Sequence, residues 1–154
     1  MPELKPGDKA PAFSLLDQNG KRIKLSDFKG KKLLLYFYPK AETPDCTKQA
    51  CSVRDAKSHL KRSKLAAVGI SPDLPEKQGK FDNQYDLGFP LLSDPGNKIA
   101  GAYGAWGEKS MYGKKYMGII RSSFLIDEKG KIVQAWYKVS PEDTVPKAVE
   151  ALGK

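Results

Sequence analysis

The sequence predicts an α/β protein, a sandwich of helices around a central mixed β-sheet. Three observations predict it. Residues 33–38 (Leu-Leu-Leu-Tyr-Phe-Tyr) and 65–70 are short apolar runs bounded by turn residues, the pattern of central strands covered on both faces. Helical patterns alternate with such strands along the chain. A hairpin signal stands at each end, at Asn19-Gly20 and at Glu128-Lys129-Gly130.

The elements follow in order. Residues 12–16 and 21–25 flank Asp17-Gln18-Asn19-Gly20 and form an N-terminal β-hairpin, and Ser26-Asp27-Phe28 is a short connection. The strand at 33–38 stops at Pro39. Thr43-Pro44 opens a helix, with Thr at the N-cap and Pro at the first helical position. That helix is expected to reach about Ser63, with Ala50, Val53, Ala56 and Leu60 near one face and basic residues mostly around the others. The strand at 65–70 is closed by Ser71-Pro72-Asp73. Residues 77–85 form a helix despite Gly79, and 89–92 lead into the turn Ser93-Asp94-Pro95-Gly96. Residues 99–103 make a short helix, and 104–118, with four glycines, read as a long loop. Strands at 122–126 and 132–137 precede a closing helix at 141–152, with Pro141 near its start and Gly153 after it.

Composition bounds the rest. A chain of 154 residues suggests one domain, taken as 1–154, and is long enough to hold a core without disulfides or a metal. Hydrophobic residues at 40% and charged residues at 29% exclude a disordered chain. No apolar stretch approaches the ~20 residues that span a bilayer, so no membrane partner is expected. The net charge of +9 raises nucleic acid as a partner. However, the basic residues are scattered in twos and threes, as on a solvated basic surface, so no nucleic-acid partner is expected. Two cysteines, Cys46 and Cys51, are too few for a disulfide scaffold. With the single distant His59 they also cannot supply the four ligands of a structural zinc. The N-terminal residues lack the apolar core of a signal peptide, which points to a reducing cytoplasm and to reactive thiols.

Cys46 lies in the first turn of the predicted helix, just past a buried central strand. Unpaired N–H groups and the positive end of the helix dipole favour a thiolate there, and ligands of open α/β sheets bind at the carboxyl ends of such strands. Cys51 is on the same helix. Positions five apart have Cα atoms roughly 8–9 Å apart, beyond the ~7 Å that a disulfide tolerates, so bridging requires the first turns to unwind. Spacing alone leaves open two unrelated thiols, with Cys51 a small apolar core residue. There is no C-x-x-C, and His59, thirteen residues on along the same helix, cannot approach Cys46. Its expected place is the helix surface.

The pattern Pro39-x-x-x-Thr43-x-x-Cys46 resembles the peroxiredoxin active-site motif. The wider stretch 36–51 is similar to the bacterioferritin-comigratory-protein, or peroxiredoxin Q, subfamily. The resemblance continues through 68–71, 89–94, 103–109 and Arg121-Ser122-Ser123-Phe124-Leu125-Ile126-Asp127, nearly the whole chain in order. Two residues depart from the pattern. Asp45 stands where Gly is usual and could add negative charge beside the thiolate. Gln49 stands where Glu is common and could remove a carboxylate neighbour of Arg121.

The resemblance implies a thioredoxin fold and a thiol peroxidase for hydrogen peroxide and organic hydroperoxides, without metal, haem or other cofactor. In it Cys46 is the peroxidatic thiolate, which becomes a sulfenic acid. Arg121 and Thr43 stabilise the developing charge on the peroxide oxygens, and Pro39 shields the thiolate. Cys51 resembles a resolving cysteine that closes an intramolecular disulfide, reduced in turn by thioredoxin or a glutaredoxin-like protein. Many relatives of this subtype are monomers. Two other classes carry distinguishing tests. A redox sensor of the same fold would consume about one peroxide per chain even with thioredoxin present, and a nucleic-acid binder would lose affinity steeply with salt.

Overall fold

The computed structural model describes residues 3–62 and 64–152, with the side chains of Lys57, His59, Met111 and Leu152 outside that description. The N-terminal hairpin pairs β1 (Ser14–Leu16) with β2 (Arg22–Lys24), Leu15 opposite Ile23. A 3-10 turn at Leu25–Phe28 leads to β3 (Lys32–Phe37). Then come α1 (Pro44–Asp55), α2 (Lys57–Arg62), β4 (Leu65–Ser71), α3 (Pro75–Tyr85), β5 (Leu91–Ser93) and α4 (Lys98–Ala102). The strands β6 (Trp106–Met111), β7 (Lys114–Ile119), β8 (Ser122–Ile126) and β9 (Ile132–Trp136) precede a 3-10 turn at Pro141–Asp143 and α5 (Thr144–Leu152).

Seven strands form one mixed sheet in the order β2-β1-β5-β4-β3-β8-β9. The parallel pairs are β3 with β4 and β4 with β5, and the remaining pairs are antiparallel. This is the expected mixed sheet with a hairpin at each end. In β3, successive side chains point to opposite faces. Leu33, Leu35 and Phe37 enter a core with Val68, Ile70, Phe124 and Tyr103. Leu34, Tyr36 and Tyr38 enter a second core with Cys46, Ala50, Val53, Phe81 and Leu125. Every side chain from Leu33 to Tyr38 is at most 1% exposed, which is why the run has no polar alternation.

Three sequence expectations need correction. The helix expected from 43 to 63 is two helices. Ala56 stands between them at φ −88°, ψ 0°, yet its N–H still reaches Ser52 O and its carbonyl accepts from Leu60 N–H. The apolar spacing Ala50-Val53-Ala56-Leu60 continues through the break, so the pattern could not reveal it, and Ser63 lies outside the described residues. The long loop at 104–118 is a separate two-stranded hairpin, β6–β7. It turns at Tyr112-Gly113, both at positive φ (53° and 78°), the backbone of a tight hairpin turn. Two of its four glycines sit within the paired strands, Gly107 opposite Gly118. The third correction is β5: the residues expected only to lead into a turn form a strand at Leu91–Ser93. It is too short to show alternation and follows Pro90, yet it sits between β4 and β1. The closing helix begins as a 3-10 turn at Pro141, and Gly153 lies outside the described residues.

Candidate active site

At the carboxyl end of β3 the chain passes through Pro39 and turns into α1. Pro39 is half-buried and Ala41 fully buried. Glu42 adopts a left-handed conformation, φ 71°, which strains a side-chain-bearing residue by about 1–3 kcal/mol. A hydrogen-bond network holds this turn. Ala41 N–H donates to Asp73 Oδ2 at 2.6 Å, and Ser71 Oγ donates to the same oxygen at 2.8 Å. Gln78 Nε2 donates to Ser71 Oγ, and Tyr38 Oη donates to Gln78 Oε1. Gln78, Tyr38 and Ser71 are at most 1% exposed, so the turn is tied into the end of β4 and into α3 by groups that have little water to compete for them.

Cys46 follows in the first turn of α1, 1% exposed and unbridged. Arg121, between β7 and β8, points its guanidinium at it. Nη2 donates to the Cys46 Sγ at 3.3 Å, and Nη1 donates to Gln49 Oε1 at 2.5 Å. Gln49 is fully buried, and its Nε2 donates to Thr144 Oγ1 at 2.8 Å. An amide thus receives the arginine at the position where the family resemblance led us to expect a carboxylate, and among the described residues no carboxylate pairs with the guanidinium. Asp45 is exposed, so water screens its charge from the thiol.

Of the other expected residues, Thr43 stands at the N-cap but does not cap with its side chain. Its hydroxyl donates to Lys40 O at 2.7 Å. Cys51 is half-buried on the same unbroken α1, packed against the second core, so the two thiols cannot bridge in this state. His59 belongs to α2, and its expected surface side chain lies outside the described residues. No group of three or more metal-ligating side chains occurs among the described residues.

The sequence reading missed three neighbours. Tyr36 is buried on the Cys46 face of β3, with a hydroxyl lacking any hydrogen-bond partner among the described residues. Burial drives its phenol well above the usual range; Tyr38 and Cys46 push the same way and Arg121 opposes them. The period-two alternation of β3 was the signal that could have found it. Lys109, on β6, is half-buried. Burial, then the nearby Arg121, lower its ammonium from the usual lysine range, against a smaller pull from Cys46. Gln78 reads as one more polar helix residue until α3 is seen against β4.

A buried thiol at a helix start, at the carboxyl end of a central strand and under an arginine fork, on a sheet of this topology, defines a thioredoxin-fold thiol enzyme of the peroxiredoxin class. The chain belongs to the AhpC/TSA family, whose model matches residues 6–135. It is 52% identical over 132 residues to peroxiredoxin Bcp of Escherichia coli K12, covering 86% of this chain and 85% of the relative. Its fold matches the crystal structure of peroxidoxin BcpB from Mycobacterium tuberculosis with a TM-score of 0.87 at 34% identity, covering 98% and 97% of the two chains. It also matches the bacterioferritin comigratory protein of Xanthomonas campestris, whose structures address its alkyl peroxide reduction, with a TM-score of 0.86 at 31% identity over 92% of this chain and 90% of that one.

Proposed function

We propose that this thiol-dependent peroxidase uses Cys46 as its peroxidatic residue and Cys51 as its resolving residue. The observation that carries this reading is the Arg121 Nη2 contact with the buried Sγ of Cys46 at 3.3 Å. A fixed cation at hydrogen-bond distance stabilises the thiolate and stands where negative charge develops on the peroxide. The Cys46 thiolate attacks one peroxide oxygen, the O–O bond breaks, and the distal oxygen leaves as water or alcohol after taking a proton. Cys46 is then a sulfenic acid. The Cys51 thiol condenses with it, releasing water and forming the Cys46–Cys51 disulfide.

A dithiol protein of the thioredoxin or glutaredoxin type returns both cysteines to thiols and becomes a disulfide itself. Such a cycle needs a reducing compartment, in keeping with the cytoplasm, and nothing in it calls for a second copy, so the working unit is a monomer of one domain. Pro39, half-buried just past the end of β3, is assigned the part of shielding the thiolate from water. While its hydroxyl donates to Lys40 O, Thr43 can meet the peroxide as an acceptor, and it donates to the peroxide only after leaving that carbonyl. Organic hydroperoxides join hydrogen peroxide as substrates on the strength of the alkyl peroxide reduction addressed in the Xanthomonas relative.

The test follows reductant consumption with hydrogen peroxide and with an organic hydroperoxide, using thioredoxin and glutaredoxin in parallel. Sustained turnover with either reductant is expected. Consumption stopping at one peroxide per chain with both reductants would make the protein a sensor instead.

A further inference from the structure

Five large apolar side chains are exposed among the described residues, and three of them lie within six positions of the β6–β7 hairpin. Tyr112 is 98% exposed, Met117 55% and Tyr116 41%. The hairpin is not part of the seven-stranded sheet, and every described side chain from Ser110 through Met117 is exposed. A two-stranded ribbon with so little packing is marginal on its own. Its turn also holds Tyr112 at φ 53°, where Asn or Gly would sit without strain. An aromatic ring kept in a strained backbone and pushed into water serves neither folding nor solubility.

Its location and charge say what it meets. Ile120 N–H donates to Ala105 O at the hairpin's root, so β7 delivers the chain directly to Arg121. At the tip, Lys114 and Lys115 are exposed, and between Ser110 and Met117 there is no acidic residue. Among the described residues the carboxylate paired with this tip is Glu108, 3.6 Å from Lys115.

We propose that the β6–β7 tip is the docking surface for the dithiol protein that reduces the Cys46–Cys51 disulfide. The partner it fits is a small protein whose reactive thiol lies in an apolar patch bordered by carboxylates. The surface rests on the disulfide cycle proposed above. Tyr112, Tyr116 and Met117 supply the apolar anchors, and Lys114 and Lys115 the cationic rim. A second copy is disfavoured as occupant because it brings the same lysines on a chain of net charge +9. A hydroperoxide is too small to need a ribbon of this size.

The test separates three steps in wild type and two double variants, Lys114→Glu/Lys115→Glu and Tyr112→Ser/Met117→Ser. The steps are disulfide formation with one equivalent of peroxide, disulfide reduction by dithiothreitol, and disulfide reduction by thioredoxin and by glutaredoxin. The first two steps are expected to match wild type in both variants. The KM for the protein reductant should rise at least about tenfold, the effect of losing a single interface anchor, since each variant removes two. Added salt should slow the protein step in wild type and have little effect in the lysine variant. An unchanged KM in both variants, beside a working wild-type protein step, overturns the surface alone. A wild-type disulfide that dithiothreitol reduces and neither protein reduces overturns the cycle and the surface together. A dimer in sedimentation that the Tyr112→Ser/Met117→Ser variant dissolves assigns the face to a second copy instead.

Discussion

Arg121 binds two acceptors with one planar group, a thiol sulfur and an amide oxygen. Its charge and its shape therefore make separate predictions. Arg121→Ala removes both and is expected to slow sulfenic acid formation by about 10²–10³, the usual effect of losing one oxyanion-type donor. Arg121→Lys keeps the charge but cannot reach Cys46 and Gln49 together, so its rate should fall between alanine and wild type. Stopped-flow rates of the first peroxide step decide this, and an alanine variant within twofold of wild type removes Arg121 from the site. Cys46→Ser should abolish turnover and leave the fold intact, because serine nearly matches the shape and barely ionises at neutral pH. Turnover above about a tenth of wild type would displace Cys46 as the nucleophile. Cys46, Thr43 and Pro39 were singled out by types and spacing that are local in the chain, and Arg121, 75 positions from Cys46, only by the family resemblance. The partners that orient them were not. Gln49 to Thr144 and Ala41 to Asp73 are contacts between distant segments, and no local pattern records them.

At the scale of elements, α1 carries both thiols on one hydrogen-bonded helix, so the disulfide and the helix exclude one another. Oxidation should expose amides across 43–51 to hydrogen exchange while β3 stays protected. A mass loss of two hydrogens with unchanged protection would contradict this. Cys51→Ser should react once with peroxide, stop at the sulfenic acid, over-oxidise readily and fail to recycle with thioredoxin. Normal turnover would make Cys51 only a packing residue. In β4, Gly69 lies under the Tyr36 ring, and a Cβ there would stand 2.9 Å from both Cζ and the hydroxyl. Gly69→Ala should destabilise the protein by about 1–3 kcal/mol through overpacking. It should also displace the tyrosine on the Cys46 face, which urea midpoints and the peroxide rate would both report. The long central strands were readable from their apolar runs. The break at Ala56, the three-residue β5 and the β6–β7 hairpin were not, because tertiary packing sets the first two and an uncommon Tyr-Gly turn sets the third.

For the whole molecule, one sheet serves two cores, and β3 contributes alternate side chains to each. Neither core can come apart while that strand holds its place. We therefore expect residues 3–152 to unfold as one cooperative unit in the reduced state. Trp106 packs against one core and Trp136 against the other. Single-tryptophan variants, each retaining one of the two, should give the same denaturant midpoint by fluorescence and by far-UV circular dichroism. Separated midpoints would divide the chain into two units. The mixed sheet and its terminal hairpins were legible at this scale because periodicity and turn residues record them directly, whereas the strand order depends on which apolar faces meet.

The ends of the active-site helix are moored. Ala41 N–H is tied to Asp73 on one side, and Arg54 Nη1 donates to the Tyr85 carbonyl at 2.6 Å on the other. A segment that melts between fixed posts keeps its ends near their helical separation, so its return is a short intramolecular closure and not a search. Loops of about 10 residues close in ~10–100 ns and helices re-form within ~1 μs, while a typical enzyme turns over on the order of 10 times per second. The closing half of this protein's conformational clock is therefore expected to run far ahead of the chemical one, which leaves the opening of the helix, a local unfolding on the order of microseconds to seconds, as the conformational step that competes with chemistry.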